Sequence, residues 1–104
     1  MGQIRWTEKA SSHLQRIHEY IAKDSETYAT RFIKSLINAT SKLETMPRIG
    51  RIIPEIASYD FREVIYQNYR IVYRVRDNKG VEILAVLHAA RNFKKAFHEK
   101  WELK

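Results

Sequence analysis

The sequence predicts an α+β fold in which an N-terminal helical hairpin packs on a small, mainly antiparallel sheet. Two stretches in the first half of the chain repeat apolar residues at helical spacing, whereas residues 61–88 alternate apolar and polar residues. Elements that are apolar on one side only must bury that side against each other. The 104 residues suffice for one domain, so we expect a single unit over residues 1–104.

The first helix should follow a threonine N-cap and run over about residues 8–23. A break at residues 24–25 begins a second helix, which we expect to continue to Met46, because Pro47 disfavours helical geometry in the residue before it. The short break predicts an antiparallel helical hairpin. The stretch before it, Gln3–Trp6, is expected to be an edge strand or an irregular lead-in.

The central strand of the predicted sheet occupies residues 69–76. One face of this strand, which the helices should cover, carries Tyr69, Ile71, Tyr73 and Val75. The other face carries Arg70, Val72, Arg74 and Arg76. A two-residue turn at Gln67–Asn68 would pair Tyr66 with Tyr69 and add a preceding strand over Arg62–Tyr66.

A second turn, residues 77–80, leads into a third strand over Val81–His88 and completes a three-stranded meander. We expect a bulged turn with Gly80 in the left-handed region. That pairing would place Arg70 opposite His88 and give an open face bearing Glu63, Arg70, Arg74, Arg76 and His88. It would also leave three apolar side chains exposed on the open face, namely Val72, Leu84 and Val86.

The composition narrows the classes of partner and location. The net charge of +7 and the pI near 9.8 favour an anionic partner, either nucleic acid or an acidic protein. The absence of cysteine excludes disulfides and thiolate chemistry. The first residues lack a signal-peptide core and no apolar run approaches membrane length, so we expect a cytoplasmic location without membrane association. No metal site and no cofactor are expected from the residues.

The order of the elements, with strings such as EYIAKDSETYATRF (19–32), PRIGRIIPE (47–55), YRIVYRV (69–75) and AVLHAAR (85–91), resembles the RelE/ParE family. These are toxins of bacterial type II toxin-antitoxin systems, and the resemblance is greatest to the ParE, or plasmid stabilisation, branch. It runs from Trp6 to Arg91. It implies a toxin that arrests growth when freed from a small cognate antitoxin, with which it forms a hetero-oligomer.

The family contains two mechanisms, and the resemblance favours one of them. RelE-type members are ribosome-dependent messenger RNA endonucleases, whereas ParE-type members are described as poisons of DNA gyrase. The lysine pair of the RelE type would fall on the strand that here carries Phe61 and Glu63, and its tyrosine falls near Phe97. These departures favour DNA gyrase as the target over the ribosome and messenger RNA.

A ribonuclease nevertheless stays open as an alternative, since this chain is similar to another ribonuclease branch that uses a glutamate, an arginine and a histidine. By that resemblance, Arg70, His88, Arg91 and Glu55 are the candidate catalytic residues. His88 has a competing explanation as a structural neighbour of Arg70. A basic binding module without toxicity is a third hypothesis.

The predicted contact surfaces follow from the expected open face. For the target we expect the basic side chains of this face and of the C-terminal tail, namely Arg62, Arg74, Arg91, Lys94 and Lys95. For the antitoxin we expect the exposed apolar side chains Val72, Leu84 and Val86.

Overall fold

A computed structural model of the protein describes residues 2–77 and 80–89. The elements are β1 (Gln3–Trp6), α1 (Glu8–Ala22), α2 (Glu26–Asn38), a 3-10 helix (Ser41–Glu44), β2 (Arg51–Ile52), β3 (Phe61–Tyr66), β4 (Tyr69–Val75) and β5 (Gly80–His88). The sheet has the strand order β1-β5-β4-β3-β2, in which β1 runs parallel to β5 and all other neighbours are antiparallel. The predicted α+β fold is therefore confirmed.

Both helices begin where the sequence predicts, because a hydroxyl group caps each of them. Thr7 accepts a hydrogen bond from the backbone N–H of Ala10 at 3.1 Å, and Ser25 accepts one from Tyr28 at the same distance. The expected continuation of α2 to Met46 is wrong. The helix ends at Asn38, after which the hydroxyl of buried Thr40 donates to the carbonyl of Ile37 at 2.7 Å and the chain tightens into the 3-10 turn.

The pairing of β3 with β4 agrees with the predicted turn and register. Tyr66 lies opposite Tyr69, and the pairing continues through Val64 with Ile71. The alternation of faces along β4 is also confirmed: Ile71, Tyr73 and Val75 pack with the helices in one cluster, and Val72 lies in another. A hairpin closed by two residues determines its own register, which is why this prediction was accurate.

The predicted pairing of β4 with β5 is wrong. Arg70 lies opposite Leu87 rather than His88, and His88 lies opposite Tyr69. Gly80 has the expected positive φ of 94°, but the register changes inside the strand, between Val72 and Tyr73. The register that the predicted turn bulge would give is therefore not formed, and a different bulge lies inside the strand pair. Almost every residue of β5 is apolar, so the sequence contained no alternation that could locate it.

The face of the sheet opposite the helices is covered rather than open. A second apolar cluster lies there, formed by Ile53, Phe61, Val72, Leu84, Ala85 and Leu87, with Ile56 packed against it. The segment of residues 53–60, which we call the cover segment, supplies Ile53 and Ile56 and lies over this face.

The three apolar residues predicted to be exposed for the antitoxin are buried, and that prediction of exposure is wrong. Their exposed fractions are 0% for Val72, 7% for Leu84 and 4% for Val86. Val72 and Leu84 lie in the cluster beneath the cover segment, whereas the bulge turns Val86 towards the helices. Burial has removed the surface that the expected antitoxin contact required.

The N-terminal strand β1 is an edge strand, one of the two expected alternatives, and it pairs Gln3 with Gly80. A Cβ atom on Gly80 would lie 2.1 Å from the carbonyl oxygen of Gln3, so only glycine permits this close approach. Within the described ranges, no helix has both the length and the apolar character needed to cross a membrane.

Candidate functional site

Arg70, one of the four candidate catalytic residues, projects from β4 onto the face covered by residues 53–60. Its guanidinium donates from Nε to Glu63 at 2.6 Å and from its two terminal nitrogens to Glu55 at 3.2 and 3.0 Å. Arg70 is only 8% exposed. Two carboxylates therefore occupy the guanidinium of this candidate catalytic residue.

A second arginine joins this site and balances its charge. The Nε of Arg51 donates to the other oxygen of buried Glu63 at 2.5 Å. The four side chains, which we call the Arg70 cluster, are Arg51, Glu55, Glu63 and Arg70, and their formal charges sum to zero. Because the arginines already meet carboxylates, an incoming phosphate would be repelled as well as attracted.

The electrostatics of the cluster make Glu55 a poor proton acceptor. The hydrogen bond from Arg70 holds the pKa of Glu55 below its usual value, although burial acts in the opposite direction. For Arg70, burial lowers the pKa, but the hydrogen bonds to Glu55 and Glu63 outweigh it, so that its pKa is raised. Both side chains stay charged at neutral pH, which suits an ion pair better than proton transfer.

His88 does not join the Arg70 cluster. Its ring makes an edge contact with Tyr69, with 5.3 Å between the ring centroids, and Tyr69 is its partner across the strands. Adjacent residues of a strand point to opposite faces, so His88 and Arg70 lie on opposite sides of the sheet. The structure thus brings Glu55 and Arg70 together but separates His88 from them. Arg91, the fourth candidate catalytic residue, lies outside the described residues.

Arg62 is not part of an open basic face, contrary to the prediction. It is buried, and its guanidinium donates to the backbone carbonyl oxygens of Tyr59, Arg48 and Gly50 at 3.0 to 3.1 Å. It also lies 4.8 Å from the centre of the Tyr59 ring. Arg62 therefore fastens the connection that precedes β3. The other predicted basic contacts in the tail, Lys94 and Lys95, lie outside the described residues.

Arg74 belongs to a different charged group, which we call the Glu82 cluster. It donates to Glu82 at 2.7 Å, and the same carboxylate lies 3.6 Å from Arg5 and 3.4 Å from Arg76. Burial raises the pKa of Glu82, but the hydrogen bond from Arg74 and the three positive charges outweigh this and lower it. Glu82 is ionised at neutral pH and draws the three arginines together.

Two residues that the sequence analysis did not single out, Arg5 and His13, make long-range contacts in the structure. Arg5 reaches Glu82 only because β1 pairs in parallel with β5, and nothing in a four-residue strand indicates its neighbour. His13 accepts a hydrogen bond at Nδ1 from the backbone N–H of Val86 at 3.0 Å, so it links α1 to the sheet.

Across residues 2–77 and 80–89, no three His, Asp or Glu side chains are placed to hold a metal ion.

Fold and site together define a small α+β protein in which Glu55 and Glu63 neutralise the charge of Arg70. A family model described as "ParE toxin of type II toxin-antitoxin system, parDE" matches residues 4–93. The chain therefore belongs to the ParE toxin family.

Two similar proteins agree with this assignment. A protein of Sinorhizobium fredii (strain NBRC 101917 / NGR234) that bears the provisional name toxin Y4kP is 32% identical over 99 residues, covering 95% of this chain and 92% of the relative. A solved structure titled "Chromosomal ParDE TA system from P. aeruginosa" superposes with a TM-score of 0.69, at 20% identity, over 85% of this chain and 96% of that one. The structural likeness shows the fold.

Proposed function

We propose that this ParE-family toxin arrests growth by acting on DNA gyrase in the cytoplasm, and that a cognate antitoxin neutralises it. The observation that best supports gyrase rather than messenger RNA as the target is that the guanidinium of Arg70 is hydrogen-bonded to Glu55 and Glu63. ParE-type members are described as gyrase poisons, and membership of that family gives the proposal its direction.

Cleavage of RNA would need groups that this site does not assemble. In-line attack by a 2′-hydroxyl requires a base, an acid for the leaving oxygen and cations for the developing phosphorane charge. Here the candidate base Glu55 is tied to Arg70, and the histidine that could act as an acid lies across the sheet. Among the described residues, Arg70 is present, but Glu55 and His88 do not lie where a ribonuclease would need its base and its acid.

We propose that the antitoxin contacts a surface other than the one predicted from sequence, because Val72, Leu84 and Val86 are buried. Large apolar side chains remain exposed at Ile65 on β3, at Ile52 on β2 and at Ile49 in the preceding connection. An antitoxin that covers such side chains would gain free energy from their burial, and an acidic one would also complement the charge of +7. Copurification with the product of an adjacent short reading frame would test this partnership.

The choice of target can be tested by inducing the full chain in growing cells. We expect growth arrest accompanied by loss of plasmid supercoiling or by double-strand breaks, while translated messages stay intact. Early loss of messages with normal supercoiling would contradict the gyrase proposal. An unaffected culture would favour the non-toxic binding module instead.

A paired substitution separates a structural Arg70 from a catalytic one. The double variant R70M/E63Q removes one positive and one negative charge from the same buried ion pair, so the charge balance of the cluster is retained. We expect this variant to fold and to remain toxic. Circular dichroism would establish folding, and a folded variant that has lost toxicity would show that Arg70 acts on the target.

A further inference from the structure

We propose that the Glu82 cluster forms a binding site for the phosphodiester backbone of duplex DNA. The cluster contains three arginines and one glutamate, and it therefore carries a formal surplus of two positive charges. Three of its side chains come from neighbouring strands, with Arg5 on β1, Glu82 on β5 and Arg74 on β4, and Arg76 directly follows β4. Such a surplus on a sheet supplies both charge and a preset geometry.

The accessible parts of the cluster are its arginines rather than its carboxylate. The side chain of Arg5 is 74% exposed and that of Arg76 is 40% exposed, whereas that of Glu82 is only 11% exposed. A ligand that approaches from solvent therefore meets guanidinium groups first. Each guanidinium offers several N–H donors in a planar fork that matches phosphate oxygens, and one carboxylate can engage only a few of them.

Glu82 has a positioning role in this arrangement. Three arginines this close together, flanking β5 on both sides, would repel one another and disperse into solvent if nothing held them. The central carboxylate, within 2.7 to 3.6 Å of all three, offsets this repulsion while leaving the surplus charge in place. The cost of ordering the arginine side chains is thus met before a ligand arrives.

The Glu82 cluster differs from the Arg70 cluster in its formal charge, which decides whether it can attract phosphate groups. Both groups lie on the same side of the sheet, but the Arg70 cluster has two carboxylates for two arginines and no surplus. Of the two clusters, only the Glu82 cluster, which lies towards β1, has a positive surplus. A polyanion with regularly repeated phosphates fits this excess and the net charge of +7 better than an isolated carboxylate does.

The assignment to DNA rests on the proposed function in one respect. A protein that acts on gyrase meets that enzyme on duplex DNA, so a phosphodiester contact would help to hold the toxin there. The binding itself can be measured without gyrase. Failure of the gyrase proposal would appear in the supercoiling assay and would leave the DNA-binding result unchanged.

The test uses the purified full chain and a short fluorescent duplex of mixed sequence, with binding followed by anisotropy across a salt series. The variant R5A/R76A is compared with R16A/R31A, which removes two exposed arginines from the helices and lowers the net charge equally. We expect R5A/R76A to weaken binding by about tenfold or more at low salt and to reduce the salt slope by about 2. The control variant should stay within about twofold of the unaltered chain.

Several results would overturn the proposal. One is an equal loss in both double variants, which would show that net charge alone attracts DNA. Another is binding of labelled polyglutamate but not of the duplex, which would assign the cluster to an acidic protein partner. Should R5A/R76A fail to fold by circular dichroism, R5A alone provides the measurement, because Arg5 is largely exposed on an edge strand. Unchanged binding by folded R5A would then count against the site.

Discussion

Single buried polar groups hold the connection between the helices and the meander in place. The side chain of Tyr73 is fully buried, and its hydroxyl donates to the carbonyl of Pro47 at 2.7 Å and accepts from the N–H of Gly50 at 3.0 Å. The same connection receives the hydrogen bonds of Arg62. A connection without regular structure has thus had its backbone groups satisfied by side chains from the sheet.

The variant Tyr73→Phe should lower the free energy of unfolding by about 1–3 kcal/mol, because it leaves a partly buried carbonyl and a buried N–H without their partner. Urea denaturation followed by circular dichroism would measure this change. Tyr59→Phe makes the same chemical change on an exposed side chain and should have little effect. Equal losses in the two variants would contradict the structural role of the Tyr73 hydroxyl.

The ion pair between Glu55 and Arg70 should make the free energy of unfolding decrease as the solution becomes acidic. Because the pKa of Glu55 is lower in the folded chain than its usual value of 4.5, its contribution is present above that pH and is lost as the pH falls through the folded pKa. Glu55→Gln should therefore give a shallower decline of unfolding free energy between about pH 6 and about pH 3. Glu19→Gln, on an exposed face of α1, provides the matched control. Parallel curves for Glu55→Gln and the unaltered chain would refute the prediction.

The N-cap residues of the two helices differ in the hydrogen bonds that they make outside their own helix. The hydroxyl of Ser25 accepts a hydrogen bond within its own helix, at an exposed position. The hydroxyl of Thr7 caps α1 and also donates to the carbonyl of Ile83 on β5 at 2.9 Å. One residue thereby joins the start of the first helix to β5, the strand next to the edge strand β1.

Replacing each cap with alanine should therefore have unequal effects. Ser25→Ala should cost about 1 kcal/mol of unfolding free energy, the usual loss for a missing N-cap. Thr7→Ala should cost about 1 kcal/mol more, because a further, partly buried hydrogen bond is lost with it. Thermal and urea denaturation of the two variants would measure the difference. A larger loss for Ser25→Ala would contradict the link between Thr7 and β5.

Across the whole molecule, the sheet is packed on both faces. One cluster lies under the helices, and the other lies under residues 53–60. This second layer explains why side chains that alternate to the face opposite the helices, such as Val72 and Arg70, are nevertheless buried. It also brings Glu55 onto Arg70, so the same segment that covers the sheet neutralises the candidate site.

Two neighbouring isoleucines test whether this cover contributes to stability. Ile53 is fully buried in the second cluster, whereas Ile52 is 40% exposed on β2. Ile53→Ala should cost about 2–5 kcal/mol of unfolding free energy, and Ile52→Ala less than about 1 kcal/mol. Urea denaturation of both variants provides the measurement. A small loss for Ile53→Ala would show that residues 53–60 rest only weakly on the sheet.

By itself, the sequence determined the elements whose causes are local. Hydroxyl caps placed the starts of both helices, a two-residue turn set the register of β3 with β4, and alternation assigned the faces of β4. The resemblance carried by short strings also led to the family that the comparisons confirm. Each of these depends on residues close together in the chain.

Only the tertiary structure decided which residues from distant segments of the chain contact one another. The bulge that turns His88 away from Arg70, the segment that brings Glu55 over the sheet, and the parallel strand that adds Arg5 to Glu82 all arise from long-range packing. An evenly apolar strand gives no local signal for its own register, and a loop gives none for the surface it will cover. The charges of the candidate sites were visible in the sequence, but their pairing depended on that packing.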